Sequence, residues 1–454
     1  MPFLSTNPAT GEVIAEYPTL TSGELEERLA TAQAGYERWR RTPIAERAQL
    51  MTRAAELLEG EIPVTAEMMT REMGKTFAAA KGEASKCALA MRYFAENAAR
   101  LLAPESIPTS GRRSGVRFDP LGPILAVMPW NFPLWQVVRF GVPAIMAGNV
   151  VLLKHAPNVP ASAQYLEDLF RQAGFPEGVL TNLFVEVDTV GTILADPRVV
   201  GVTLTGSERA GRSVASLAGA NLKKCVLELG GSDPFVVGAH ADLDLAVAQA
   251  VTARIQNNGQ ACIAAKRFIV VRPRADEFLE RFSAAMASVR TGDPMDPEVE
   301  LGPLVSRAQR DQLSAQVASS VAAGAVVHTG AHELDRPGFF YAATVLSEVP
   351  GDSRAGCEEL FGPVATVTVA DDLEAALAVA NDSPWGLGGS IWSSDDREID
   401  RAIEALECGM VFANGIVASM PELPFGGTKN SGFGRELSVY GLREFTNVKS
   451  FHVS

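Results

Sequence analysis

Histidine and cysteine are both scarce in these 454 residues, with five of each. So few histidines leave little scope for catalysis centred on imidazole. The cysteines, Cys87, Cys225, Cys262, Cys357 and Cys408, are odd in number, widely spaced and form no C-x-x-C pair. That excludes a disulfide framework and a zinc ribbon, so we expect no metal site and a reducing, cytoplasmic compartment. Positive charge is short as well: 40 Lys and Arg stand against 54 Asp and Glu, for a net charge of −14. Nucleic-acid binding needs clustered cations to displace phosphate counterions, and none is expected here. An acidic total still leaves room for a small anionic ligand, which needs only one or two placed cations. No apolar run approaches the roughly 20 residues of a membrane span. The start, "MPFLSTNPATGEVI", has neither a basic n-region nor an apolar h-region, so no secretory signal is expected. No period of 20–50 residues repeats, which argues against a solenoid.

What is present is an ordinary globular composition, 47% hydrophobic and 21% charged, in a chain too long for one core. Residues 23–105 carry apolar positions at three- and four-residue spacing and predict helices. Residues 106–119, "SIPTSGRRSGVRFD", are turn-rich and predict a projecting β-hairpin. From residue 120, short apolar runs such as "PILAVMP" and "NVVLLKHA" alternate with helical stretches, the pattern of a doubly wound parallel sheet. A second strand–helix alternation starts after "KKCVLELGGSDPFVV", and the tail ends in an alternating stretch fit for an edge strand.

Several segments carry candidate chemistry. "NNGQACIAAK" surrounds Cys262 with small and amide-bearing residues but no histidine, so the thiol is either buried filler or a nucleophile whose base comes from elsewhere. "VLELGGSDP" sets Glu228 between two leucines at a strand end; burial there raises its proton affinity toward that of a general base. "MPWNFP" holds Asn131 between Trp130 and Phe132, where its amide can donate to a developing oxyanion. "TLTGSERAG" puts Gly206 and Ser207 between a strand and a helix that includes Gly211, a turn able to face a phosphate. In "VVLLKHAPNVP", Lys154 ends a buried strand and Pro157 follows where an acid would repel a 2′-phosphate, leaving NADP permissible.

In this order and spacing, "PWNFP", "LTGS", "LELGG", "NNGQACIAAKR", "EELFGPV", "NDSPWGLGGSIW" and "PFGGTKNSGFGRE" resemble the aldehyde dehydrogenase superfamily over nearly the whole chain. The resemblance implies an α/β, aldehyde dehydrogenase-like fold. A doubly wound cofactor-binding domain (1–105 and 120–228) joins a second α/β, catalytic domain (229–425). A small β oligomerisation extension (106–119 and 426–454) implies a homodimer or homotetramer. It also implies that Cys262 attacks an aldehyde to give a thiohemiacetal whose oxygen is held by the Asn131 amide and the Cys262 N–H. Hydride then leaves for the nicotinamide, and Glu228 activates water to hydrolyse the resulting thioester. Trp130, Lys154, Pro157, Gly206, Ser207 and Gly211 fall at cofactor positions, as do Glu359, for the nicotinamide ribose, and Phe361, beside the ring. The other four cysteines are expected to be inert.

"FPLWQVVRFG" places Arg139 one helical turn after Trp135, on a face expected to line the route to Cys262. A buried arginine is costly unless paired, either with an acid of the protein or with a substrate carboxylate. "KHAPNVP" and "GQACIAAKRFIV" resemble the bacterial succinate-semialdehyde dehydrogenase branch. That branch implies Arg139 and Ser419 as holders of the far carboxylate, and NADP as the preferred cofactor with NAD possible. A broader aldehyde dehydrogenase, one acting on another semialdehyde, and a cofactor-independent cysteine esterase or acyltransferase are the rival readings.

Overall fold

The structure is a computed structural model that describes residues 2–454. Four helices, Ser22–Trp39, Ile44–Gly60, Ile62–Met73 and Phe77–Leu101, fill the region expected to be helical. Their buried faces join one large core with the strands that follow. The chain then forms five parallel strands, Pro123–Val127, Val150–Lys154, Leu180–Asn182, Gly201–Thr205 and Lys224–Glu228. In space they run third, second, first, fourth, fifth, so the winding reverses between Pro123–Val127 and Gly201–Thr205. Ligands of open α/β sheets bind beyond the carboxyl ends at such a reversal. The strand expected over "LTNLFVEV" is shorter than that run, stopping at Asn182.

The second alternation gives a seven-stranded sheet centred on Ala265–Val271, Asp233–Val237 and Val364–Ala370. It is parallel apart from the edge strand Val326–Thr329. Phe235, Phe268, Phe278, Phe282 and Trp392 stack through one of its faces, supplying a core of its own.

The expected hairpin is present: Glu105–Ser106 and Arg113–Pro120 pair antiparallel, and Thr446–Val453 joins along the full length of the longer strand. The segment 426–454 is divided, however. Gly432–Phe433 pairs with Leu227–Glu228 at the edge of the six-stranded sheet, and Leu437, Leu442 and Phe445 enter the first core. Only the last strand joins the three-stranded sheet, whereas the part before it is anchored to the first core by those three apolar side chains. No helix is long and apolar enough to cross a membrane among the described residues.

Candidate active site

The segment before Cys262 folds in an unusual way. Asn257, Asn258 and Gly259 are consecutive residues at positive φ, of 54°, 59° and 74°. Asparagine tolerates that region better than most residues. At Gly259 nothing larger fits, since a Cβ would lie 2.3 Å from the Gly362 carbonyl carbon. The amide side chains of this segment are buried ties. Asn257 Nδ2 donates to the Asn131 carbonyl at 2.7 Å. Asn258 Nδ2 donates to the carbonyls of Gly74 and Pro303. Gln260 Oε1 accepts from the Val305 N–H. Behind the loop, Lys266 Nζ donates to the carbonyls of Ala261 and Cys262 at 2.9 and 2.7 Å. The sulfur therefore stands on a backbone fixed from several directions before any ligand arrives.

Two cavities meet at this sulfur. The larger, about 830 Å³, is lined by Asn131, Glu228 and Cys262 together with Trp130, Gly206, Ser207, Glu359 and Phe361. The smaller, about 280 Å³, is lined by Cys262, Trp135, Arg139 and Ser419. Only Cys262 and Gln136 belong to both. Asn131 Nδ2 donates to the Gln260 carbonyl at 3.0 Å, which orients the amide and leaves its second N–H for an oxygen at the sulfur. Gln136, overlooked in the sequence, is buried at the junction with its Oε1 unpartnered.

Burial dominates the site's proton affinities. It pushes the Cys262 thiol up to about 11, against the pull of Arg139 and Lys266. Burial, and then the neighbouring Glu436 carboxylate, push Glu228 well above the usual carboxylate range, outweighing Arg139. Both Glu228 oxygens are buried without a hydrogen-bond partner. A carboxylate in that condition is a strong proton acceptor, and it lines the same cavity as a thiol that holds its own proton tightly.

The larger cavity suits a dinucleotide. It opens at the carboxyl ends of the parallel strands, where Ser207 caps helix Glu208–Ala220 by accepting from the Ala210 N–H through its Oγ, and a helix start of this kind is suited to a phosphate. Trp130 and Phe361 meet edge to face, with ring centroids 5.6 Å apart. Glu359 is held by the Gly231 N–H at 3.2 Å and by Lys266 Nζ at 3.1 Å. Lys266 thus braces the Cys262 loop and the candidate ribose ligand Glu359 together, a link that a lysine four residues past a cysteine does not advertise. Three expected cofactor residues lie off the cavity wall. Lys154 Nζ donates to the His155 carbonyl, and Pro157 is exposed on the following loop. Gly211 serves packing, since a Cβ there would sit 2.6 Å from Leu229 Cδ1.

In the smaller cavity, Arg139 lies on helix Trp135–Ala147 as expected, and its Nε pairs with Glu436 in a fully buried contact. Its Nη2 donates to Thr205 Oγ1 at 3.3 Å, and the guanidinium lies over the Phe425 ring. The amino end of that helix is held by another buried acid. Glu83 Oε1 accepts from the N–H groups of Leu134 and Trp135, both at 2.9 Å, while Oε2 pairs with Lys75. Neither Lys75 nor Glu83 is exposed, so a Glu83→Ala substitution leaves a buried ammonium uncompensated. We expect a loss of ~3–5 kcal/mol, read as a lowered urea midpoint.

Of the remaining cysteines, Cys87 is buried, Cys225 and Cys408 are half-buried, and Cys357 is exposed on the wall of the larger cavity. No cluster of His, Cys, Asp and Glu suited to a metal ion occurs among the described residues.

Residues 2–451 match the profile of the Aldehyde dehydrogenase family. The chain is 51% identical to the Mycobacterium tuberculosis (H37Rv) succinate-semialdehyde dehydrogenase [NADP(+)] 1, over 100% of both chains. To the Mycobacterium leprae succinate-semialdehyde dehydrogenase [NADP(+)] it is 49% identical, again over 100% of both. The crystal structure of succinic semialdehyde dehydrogenase from Streptococcus pyogenes, in complex with NADP+, superposes with a TM-score of 0.97. It shares 39% identity and covers 99% of each chain.

Proposed function

The chain belongs to the aldehyde dehydrogenase family, and on that footing we propose that it oxidises succinate semialdehyde to succinate, with NADP preferred over NAD. The observation that carries this reading is the position of Cys262 on the walls of two separate cavities, one suited to a dinucleotide and one to a small aldehyde. The similarity to NADP-dependent succinate-semialdehyde dehydrogenases supports both the substrate and the cofactor.

In this mechanism the Cys262 sulfur adds to the aldehyde carbon as its proton leaves toward a base, Glu228 or a water that Glu228 holds. The carbonyl electrons move onto oxygen, which the free N–H of the Asn131 amide stabilises. NADP would be held at its phosphates by the Gly206–Ser207 turn and at its ribose by Glu359, and would supply the two-electron acceptor for the hydride lost from the former aldehyde carbon. The thioester left on Cys262 is cleaved by water from which Glu228 removes a proton, and the thiol is regenerated. The cavity lined by Gly206, Ser207 and Glu359 has no use in an esterase, which weighs against that alternative. We also propose a cytoplasmic homo-oligomer assembled through the sheet of Arg113–Pro120 and Thr446–Val453, whose last strand presents an open edge.

The test is an aldehyde panel, with succinate semialdehyde, butanal and benzaldehyde each assayed with NADP and NAD by absorbance of the reduced nicotinamide. Succinate semialdehyde with NADP should give the highest kcat/KM. Equal values across the aldehydes refute the substrate assignment, and a preference for NAD refutes that of the cofactor.

A further inference from the structure

Lys266 is the second residue of strand Ala265–Val271, at the centre of the second sheet, and is only 1% exposed. It lines neither of the two cavities at the sulfur. Its Nζ is nevertheless surrounded by three acceptors, as many as an ammonium has N–H bonds: the Ala261 and Cys262 carbonyls and, at 3.1 Å, Glu359 Oε1. Two of these belong to the loop that carries the nucleophile and one to the candidate ribose ligand. A buried ion pair adds little net stability, because desolvation of both charges offsets their attraction, and apolar side chains would fill the same space as well. What an ammonium supplies and a leucine cannot is direction.

The carboxylate that Lys266 holds is divided in function. Glu359 Oε1 takes Lys266 and the Gly231 N–H, while Oε2 accepts from no donor among the described residues. Glu359 lines the larger cavity, so this second oxygen is the one left for a ligand hydroxyl. The Gly230–Gly231 turn that follows Glu228 packs against both groups that Lys266 ties. A Cβ on Gly230 would lie 2.4 Å from Glu359 Oε2, and one on Gly231 would lie 3.0 Å from the Cys262 carbonyl oxygen. The segments that carry base, nucleophile and ribose ligand therefore converge on one ammonium.

We propose that Lys266 is a positioning residue for hydride transfer: by tying Glu359 to the Cys262 loop, it fixes where the nicotinamide ring stands relative to the carbon bound at the sulfur. This rests on the reading that the protein is an NADP-dependent aldehyde dehydrogenase whose Glu359 holds the nicotinamide ribose. Ring and aldehyde carbon are carried on different segments, and a misplacement of about 1 Å between them costs on the order of 100-fold in rate.

The experiment compares wild type with Lys266→Met, Glu359→Gln, the double variant and Gly230→Ala, with circular dichroism as the check of folding. Without cofactor, the peptide spanning 257–264 should take up deuterium faster in Lys266→Met than in wild type, because two loop carbonyls lose their donor. NADP affinity, followed by fluorescence, should change little, since the phosphate-binding turn is untouched. The rate of nicotinamide reduction in a single turnover, with enzyme in excess over succinate semialdehyde, should fall about 10- to 100-fold. In the Glu359→Gln background Lys266→Met should cost little more, because members of one network do not act additively. Gly230→Ala leaves Lys266 in place and displaces Glu359 from the other side, so it should slow the same step even if Lys266→Met fails to fold. Unchanged deuterium uptake in Lys266→Met, a wild-type single-turnover rate in Lys266→Met or Gly230→Ala, or single effects that multiply in the double variant overturns the assignment of Lys266. A wild-type enzyme that binds no NADP, or reduces none with any aldehyde, overturns the reading beneath it instead.

Discussion

A Cys262→Ser enzyme is expected to bind NADP and to turn over aldehyde slower than wild type by a factor on the order of 10⁴ to 10⁶. The size of the loss follows from where the sulfur sits. Burial makes even the thiol hard to ionise, at about 11, with Arg139 and Lys266 recovering only part of the cost. A hydroxyl in the same place starts from far weaker acidity and meets the same desolvation, so the neighbouring base cannot make it a nucleophile. The cofactor cavity changes by a single atom of its lining, and binding titrations should show an NADP affinity close to wild type. Residual turnover within a hundredfold of wild type would place the nucleophile elsewhere.

Glu228→Gln carries the second large effect, a fall in steady-state rate of about 10²- to 10⁴-fold, the usual worth of a positioned general base. The two halves of the reaction should separate. Acylation can use water or bulk base slowly, whereas hydrolysis of the thioester depends on Glu228. Rapid mixing should then show up to one equivalent of reduced nicotinamide per site, followed by a stall. A linear time course at a wild-type rate would remove Glu228 from the mechanism. Stability moves the other way. The folded protein binds the Glu228 proton more tightly than the unfolded chain, whose carboxyl titrates near 4.3. Below that pH Glu228 is protonated in both states and costs nothing. As pH rises above it the unfolded chain gives up the proton first, and the fold is progressively penalised. Glutamine carries no such penalty, so Glu228→Gln should melt higher than wild type at pH 8 and about equally at pH 4.

Much of this site was legible in the chain because its parts are local. Cys262, Asn131 and Glu228 each occupy a short segment of distinctive composition, and the resemblance placed them around one reaction. The strand–helix alternation gave the parallel sheet, and the apolar company of Glu228 foretold its burial. What escaped notice depends on contacts between distant segments. Glu436 lies 297 residues from Arg139, and no local pattern joins them. Lys266 looks from sequence like any cation at the start of a strand, because only the tertiary fold brings Glu359 against it. Gln136 was hidden for a similar reason: one amide in an apolar helix signals nothing until two cavities are seen to meet beside it. The asparagines before Cys262 were noticed without a role, since their positive φ angles and carbonyl partners exist only in the folded loop.

The way residues 426–445 return to the first sheet bears on how the protein comes into being. Until that stretch has emerged from the ribosome, the edge beside Leu227 is bare and the Arg139 guanidinium lacks its ion-pair partner Glu436. The sheet that starts at Pro123–Val127 is begun early yet gains its Gly432–Phe433 edge almost last. A nascent chain interrupted before residue 426 would carry Cys262 on a scaffold still open at that seam.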